Sequence, residues 1–402
     1  MRAILLTLPI VLLAACDAGT GGGQAQPSQA PTQQAAAATP DPLAAHDPAS
    51  GAAMSEDIVD PVARPVMQAQ VVLDRLGFTP GVVDGKEGLS TRNAVSGFQE
   101  ANSLAVTGKL DQPTNDALKA WTNIPATRVV TIPADFAAGP FYAVPKDPQD
   151  QAKMSALGYA SLDEKLAERF HTTIAVLKEL NPEGKPAGMA AAPANAVPTP
   201  SASPTATPSA SGEAFTPEPG PWSIFQGGQQ IRVPNVGGDA IDPASVTDAD
   251  WRATLAMLGV GSTQPSAARI VVSKAKGTMK VFDTADKLVA VYTATMGSRY
   301  DPLPLGDWKI LGTAHNPPFH YNPDLFWDAK ASAEKAKLPP GPNGPVGVVW
   351  IDLSKEHYGI HGTPNPETIG RAESHGCVRL TNWDAARLAQ MVSAKTQVRF
   401  EA

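Results

Sequence analysis

The chain has only two cysteines, Cys16 and Cys377, among 402 residues. Two are too few for a disulfide scaffold or a cysteine-built zinc cluster. No CxxC and no HExxH occurs, so those zinc-site spacings are missing too. Nor is there a block of positive charge: 32 Lys and Arg stand against 39 Asp and Glu, for a net charge of −7. A nucleic-acid binder needs a concentrated basic footprint, so that class is excluded. The apolar run at residues 3–15 is too short to span a bilayer. It makes about 20 Å of helix against a hydrocarbon core of roughly 30 Å. What the chain does have is 34 Gly and 39 Pro. That is above average usage but below the ~25–30% of a wholly low-complexity chain. Length and composition therefore predict two or three folded domains separated by disordered stretches.

The run at residues 3–15 follows Met1-Arg2 and fits the apolar core of a signal peptide, residues 1–15. It ends in Leu13-Ala14-Ala15-Cys16, which resembles the lipobox of bacterial lipoproteins. That resemblance implies a diacylated Cys16 at the mature N-terminus, a membrane anchor and a periplasmic location. Asp17 resembles an inner-membrane retention signal, but the choice of inner or outer membrane stays open. Residues 16–60 are rich in Ala, Gln, Pro and Gly and read as a disordered tether. Residues 183–220 have the same character, with no charge between Lys185 and Glu213, and read as a linker. If Cys16 is acylated, Cys377 is an unpaired thiol in an oxidising compartment; if not, a Cys16–Cys377 disulfide stays open.

Two small modules lie between these stretches. In residues 61–122, Val66, Ala69, Leu73 and Leu76 recur at helical spacing and Gly77 stops the helix. Ser90 is placed to cap a second helix over 91–102, and a third covers 114–118. Gln70, Leu76-Gly77-Phe78, Val83-Asp84-Gly85, Thr91-Arg92-Asn93-Ala94-Val95, Phe98-Gln99 and Gly108-Lys109-Leu110-Asp111 resemble the three-helix peptidoglycan-binding domain family. Lys86-Glu87-Gly88-Leu89 departs from the apolar-Phe-Gly-Pro run usual there. The second module, 138–182 plus 221–236, begins with a strand at Phe141-Tyr142-Ala143-Val144. A helix over 161–170 follows, then one capped by Thr172 or Thr173 and ending Leu180-Asn181-Pro182. Gly228-Gln229-Gln230-Ile231-Arg232-Val233-Pro234 closes it. This order resembles a LysM domain split by the linker, an insertion that costs only about 0.6 kcal/mol per doubling of loop length.

Residues 268–401 change to strand patterns: 270–273 and 278–282 around a Lys276-Gly277 turn, then 289–295, 308–311, 347–353, 358–361 and 398–400. One helix is clear, over 385–393, entered through Thr381-Asn382-Trp383-Asp384. Reactive residues gather in His361-Gly362-Thr363, Ile369-Gly370 and Ser374-His375-Gly376-Cys377-Val378-Arg379-Leu380. A cysteine with a histidine nearby suits nucleophilic acyl transfer, the histidine acting as a base or as half of an ion pair. Backbone N–H groups around Gly376 suit a developing oxyanion.

This segment resembles the L,D-transpeptidase catalytic domain of the YkuD type, with supporting text at Met296-Gly297, 302–306, 315–319 and 339–347. The fold class is therefore multidomain: a three-helix peptidoglycan-binding domain, an α+β LysM-like module and a mostly β catalytic domain. The resemblance implies Cys377 as nucleophile and His361 as proton acceptor and donor. It implies the Gly362 carbonyl as the group that orients His361, with Ser374 competing, and His375 and Gly376 beside Cys377 at the oxyanion site. Arg379, Ser374, Tyr321 and His320 are the substrate-binding candidates; His315 joins them at the cleft and His357 reads as a surface residue. No metal or organic cofactor is implied. The implied partners are peptidoglycan stem peptides, glycan strands, a lipoprotein acceptor and the membrane through Cys16, with no nucleic acid. The implied reaction joins a tetrapeptide stem to Cys377, releases D-Ala and passes the acyl group to an amine, making 3→3 cross-links or anchoring a lipoprotein. It also implies sensitivity to carbapenems and thiol reagents. A same-fold amidase, an L,D-carboxypeptidase and a non-catalytic wall-binding scaffold remain alternatives. A papain-like protease is disfavoured, because His precedes Cys and the Cys sits in a β domain.

Overall fold

The computed structural model describes residues 58–189, 215–237, 240–327, 329–330 and 332–402, all within one compact unit. The signal segment, Cys16, the tether up to residue 57 and most of the 183–220 linker lie outside the described residues. Among the described residues, no helix is long and apolar enough to cross a membrane.

Three helices come first: α1 (Pro65–Arg75), α2 (Leu89–Ala101) and α3 (Gln112–Leu118). Sequence spacing predicts a single apolar face for α1. Instead α1 buries Met67, Ala69, Gln70, Val71, Val72, Leu73 and Asp74, nearly all round. It is packed from two sides. Leu73 meets Phe78, Ala94, Val95 and Phe98, while Met67 and Val71 join Leu166, Phe170 and Leu177 of the next module. Ser90 does not cap α2: the N-cap is Gly88, and Ser90 falls within the first turn. Asp111 caps α3 by accepting the Thr114 N–H at 3.1 Å. Two buried glutamines pin the turns. Gln70 donates to Asp84, the Lys86 carbonyl and Thr91, and its oxygen accepts the Asp84 and Gly85 N–H groups. Gln99 treats Thr107, Gly108, Lys109 and Thr114 the same way.

The middle module runs β1 (Thr127–Thr131), α4 (Ala134–Ala137), α5 (Pro148–Gln151), α6 (Leu162–Arg169), α7 (Ile174–Leu180) and β2 (Gln230–Pro234). Ser161 caps α6 and Thr173 caps α7. β1 and β2 pair antiparallel, from Thr127 opposite Pro234 to Thr131 opposite Gln230. The opening strand is thus Thr127–Thr131 and not Phe141–Val144, where Tyr142 makes one isolated bridge to Pro219. The module therefore begins before residue 138. The β-branched run Thr-Arg-Val-Val-Thr carries the stronger strand propensity.

α8 (Ala249–Leu258), capped by Asp248, precedes the large sheet. The strands are β3 (Arg269–Ser273), β4 (Thr278–Phe282), β5 (Leu288–Thr293), β6 (Thr295–Met296), β7 (Gly306–His315), β10 (Val349–Leu353), β11 (Gly359–His361), β12 (Val378–Arg379) and β13 (Gln397–Glu401). Their order is β5-β4-β3-β13-β7-β10-β11-β12-β6. A separate hairpin pairs β8 (Phe319–Tyr321) with β9 (Ala336–Leu338). Helix α9 (Asn382–Met391), capped by Thr381 as read from the sequence, packs on the sheet. Its Trp383 and Leu388 share one core with Ile270, Val272, Val281, Ile351 and Ile360. That core also takes in Trp251, Leu255 and Leu258 of α8, so the body extends upstream of residue 268.

The modules are packed together rather than strung out. β5 contributes Leu288 and Val291 to the core of the first module, and the Thr79 N–H donates to the Val291 carbonyl at 3.0 Å. At a buried junction, Arg387 of α9 donates to both oxygens of Asp74 of α1, at 3.0 and 2.8 Å. His171, at the end of α6, brings Nδ1 to 3.2 Å from the same carboxylate and Nε2 to 2.9 Å from the Leu258 carbonyl. Its ring stacks on Trp383 with centroids 4.7 Å apart. Burial penalises the Asp74 charge, but Arg387 and His171 outweigh it and hold the carboxyl well below the usual range.

Candidate active site

Two cross-strand rows build the site. Ile351, Ile360, Val378 and Met296 lie in register on β10, β11, β12 and β6, and all four are buried in the core. The adjacent row is Trp350, His361, Arg379 and Thr295. Side chains alternate along a strand, so this row faces away from the apolar one. Cys377 directly precedes β12, and the Arg379 charge acts on both its thiol and the His361 ring. The segment linking β11 to β12 is the crossover that parallel strands require. The crossover brings Cys377 to the start of the strand that lies beside His361.

His361 is 4% exposed, and Trp350 stacks against it with ring centroids 5.6 Å apart. Its Nδ1 lies 2.7 Å from the Gly362 carbonyl oxygen. A carbonyl only accepts, so Nδ1 carries the proton and Nε2 keeps its lone pair. Burial pushes the His361 pKa down to about 3; the Arg379 charge adds to this, and the hydrogen bond to Gly362 opposes it. Burial pushes the Cys377 thiol up, while a hydrogen bond from the Gly359 backbone and the Arg379 charge pull it down. Both shifts favour the uncharged forms, thiol and imidazole. The thiol donates to the His357 carbonyl, Sγ···O 3.7 Å, and not to the imidazole.

The Gly362 carbonyl, not Ser374, holds the imidazole. Ser374 is 2% exposed and fully occupied by backbone. Its Oγ accepts the Gly297 N–H at 2.6 Å and donates to the Cys377 carbonyl at 2.6 Å. It staples the Cys377 loop to the sheet. Gly376 has φ +95°, and a Cβ there would run into the Tyr358 ring. That position requires glycine for both reasons. His375 meets Phe326 edge-on at 5.0 Å and Trp327 at 5.9 Å between centroids. Tyr321 reaches this cluster through Phe326, 5.5 Å away. His320 is exposed on β8 opposite Lys337, and nothing ties it to Cys377. His315 stacks on Trp251 at 4.1 Å, away from the thiol's partners. The His357 side chain is exposed as read from the sequence, yet its backbone carbonyl holds the thiol.

Sequence reasoning missed Trp350 and Tyr358. Trp350 was findable, since it takes the alternate position to Ile351 in a strand that was predicted. Tyr358 carries no motif signal. Among the described residues, no group of three His, Cys, Asp or Glu is spaced to hold a metal ion.

Comparison with known proteins follows this geometry. Residues 267–399 match the family described as "L,D-transpeptidase catalytic domain". Residues 63–118 match that described as "Putative peptidoglycan binding domain". The chain is 35% identical over 130 residues to "Putative L,D-transpeptidase YkuD" of Bacillus licheniformis, covering 32% of this chain and 63% of that one. It is 54% identical over 57 residues to the Bacillus subtilis protein of the same name, covering 14% and 35%. "Putative L,D-transpeptidase YqjB" of Bacillus subtilis is 28% identical over 134 residues, covering 32% and 68%. The chain thus spans less than two thirds of the length of the first two relatives. By sequence, the part of the chain that carries His361 and Cys377 is similar to L,D-transpeptidase catalytic domains, and the three-helix part to peptidoglycan-binding domains.

Proposed function

We propose that this protein is an L,D-transpeptidase of peptidoglycan. One observation carries the reading: in the domain similar to those enzymes, the Gly362 carbonyl holds His361 Nδ1 on β11, and the parallel neighbour strand begins directly after Cys377. Nε2 takes the thiol proton as Sγ attacks the carbonyl of the third residue of a tetrapeptide stem. The tetrahedral oxyanion is met by backbone N–H groups of the His375–Cys377 turn. Collapse breaks the amide bond, and the imidazolium returns its proton to the departing D-Ala amine. A thioester on Cys377 remains. An amine acceptor then loses a proton to His361, attacks the thioester and restores the thiol. A stem-peptide side-chain amine gives a 3→3 cross-link, a lipoprotein lysine gives an anchored protein, and water gives a shortened stem. Arg379, beside both groups, favours neutral His361 and the thiolate.

The finer assignments belong to the same proposal. The strand-helix-helix-strand order of the middle module supports a LysM-like reading. The Leu13–Cys16 motif supports a lipid anchor and a periplasmic location. Binding of glycan strands by residues 63–118 raises the local concentration of a polymeric substrate.

The test is incubation with purified disaccharide-tetrapeptide and mass analysis of the products. The soluble form should begin at residue 58, because Ile58, Val59 and Asp60 bond to Arg232, Thr127 and Arg64. A dimer lacking one D-Ala supports transpeptidation. Tripeptide alone supports the carboxypeptidase, and no product from a chain whose Cys377 alkylates normally supports the amidase or scaffold. A diacylglyceryl mass on Cys16 supports the anchor, and an unmodified Cys16 removes it.

A further inference from the structure

The middle module reaches into the back of the catalytic site. Helix α6 presents Glu168, which is 8% exposed, to Asn382, the first residue of α9. Asn382 Nδ2 donates to Glu168 Oε1 at 2.7 Å and to the Pro342 carbonyl at 3.1 Å. Its Oδ1 accepts the Val348 N–H at 3.2 Å. Both amide hydrogens and the amide oxygen are thereby used, so the side chain has one orientation. Two glycines lie flat against it. A Cβ on Gly347 or Gly362 would fall inside the shell of Asn382 Oδ1. The Gly362 carbonyl is the acceptor that fixes the His361 tautomer. An unbroken path of contacts thus runs Glu168, Asn382, Gly362, His361. The same helix grips the neighbouring loop, where Asn343 donates to Glu164 at 3.1 Å and to the Gly158 carbonyl at 3.0 Å.

We propose that Glu168 is a positioning residue for the catalytic histidine, acting through Asn382 on the Gly362 backbone. The proposal rests on His361 being the base. It gives the middle module a task distinct from glycan binding: completing the wall behind the imidazole. Burial pushes the Glu168 carboxyl up to about 7, with hydrogen bonds from Tyr159 and Asn382 opposing it, so at neutral pH the contact is made by both its charged and its uncharged forms. A neutral amide oxygen then serves as well as the carboxyl.

The experiment compares Glu168→Ala and Glu168→Gln with wild type in the full chain. Three quantities are measured: kcat and KM for D-Ala release from disaccharide-tetrapeptide, retention on sacculi, and the ¹⁵N shifts of the His361 ring. Glu168→Ala is expected to lower kcat about 10-fold, the scale of a small misplacement of a catalytic group, at unchanged KM and retention. The His361 ring should drift from the Nδ1-protonated form. Glu168→Gln should restore kcat to within about 2-fold and recover the wild-type shifts. Wild-type kcat in Glu168→Ala overturns the proposal. So does Glu168→Gln as slow as Glu168→Ala, or a kcat that falls only in proportion to the folded fraction. If the wild-type chain releases no D-Ala, the transpeptidase reading fails, and the ¹⁵N shifts still decide this one: a change in Glu168→Ala reversed in Glu168→Gln supports it, and no change overturns it.

Discussion

Two buried histidines each sit near an arginine, and they differ in what meets their second nitrogen. His171 has Asp74 at Nδ1 and the Leu258 carbonyl at Nε2. His361 has the Gly362 carbonyl at Nδ1 and an open Nε2. The first ring is consumed by structure, and Arg387 beside it is neutralised by Asp74. The second keeps the Nε2 lone pair, and burial, with the Arg379 charge adding to it, favours the uncharged ring. Reactivity here is decided by an acceptor left out.

The largest effect that tests this contrast comes from the thiol the open nitrogen serves. Cys377→Ala should cut D-Ala release by about 10⁴-fold or more while leaving sacculus retention and thermal melting unchanged. Full activity in that variant breaks the comparison at its root. Next, His361→Gln should lose about 10²–10⁴-fold in kcat, the usual worth of general-base catalysis. The matched His171→Gln should keep kcat within about 3-fold and instead lower the urea midpoint by the equivalent of ~1–3 kcal/mol. Interchanged results would show that the two rings have been assigned the wrong way round.

The junction offers a stability counterpart. Asp74→Ala removes two hydrogen bonds from buried Arg387, leaving it Asp384 at 3.6 Å, and should cost up to about 3 kcal/mol in equilibrium unfolding. Its sign with pH follows from the depressed carboxyl. The contribution is complete above the ordinary carboxylate range and is lost as pH falls below it, toward the lower folded-state value. At the site, His361 must be neutral to act and titrates near 3, so the rate of D-Ala release should show no acid limb around pH 6.5. A limb there would mean that the charged ring is the resting form. The smallest change should come from Lys280→Ala, which removes a partly exposed ion pair to Glu100 across the module boundary and should alter stability by under about 1 kcal/mol.

What was legible in the sequence was what is compact in it. His361 and the Ser374–Leu380 run carry their meaning within a few residues of one another. Strand alternation placed most of the large sheet, and hydroxyl caps marked α7 and α9. The Gly362 carbonyl and Ser374 stayed competitors, because a backbone oxygen and a nearby hydroxyl look alike until each has a partner. α1 was read as one-faced because its second neighbour arrives from a distant module. The opening strand of the middle module was placed at Phe141, although the β-branched run at Thr127 was the better signal. β8 and β9, three residues each, fall below any periodicity. Glu168 and Asn382 stand 214 residues apart, so no local pattern links them.

Asp74, His171 and Arg387 come from the three-helix part, the middle module and the large-sheet body, and they meet at one point. A protein joined by loose chain would explore every distance within its reach. This one is a caliper. The span from the three-helix part to the Cys377 sulfur is set when the chain folds, so under the proposed function new bonds would be laid at a constant offset from wherever those helices take hold.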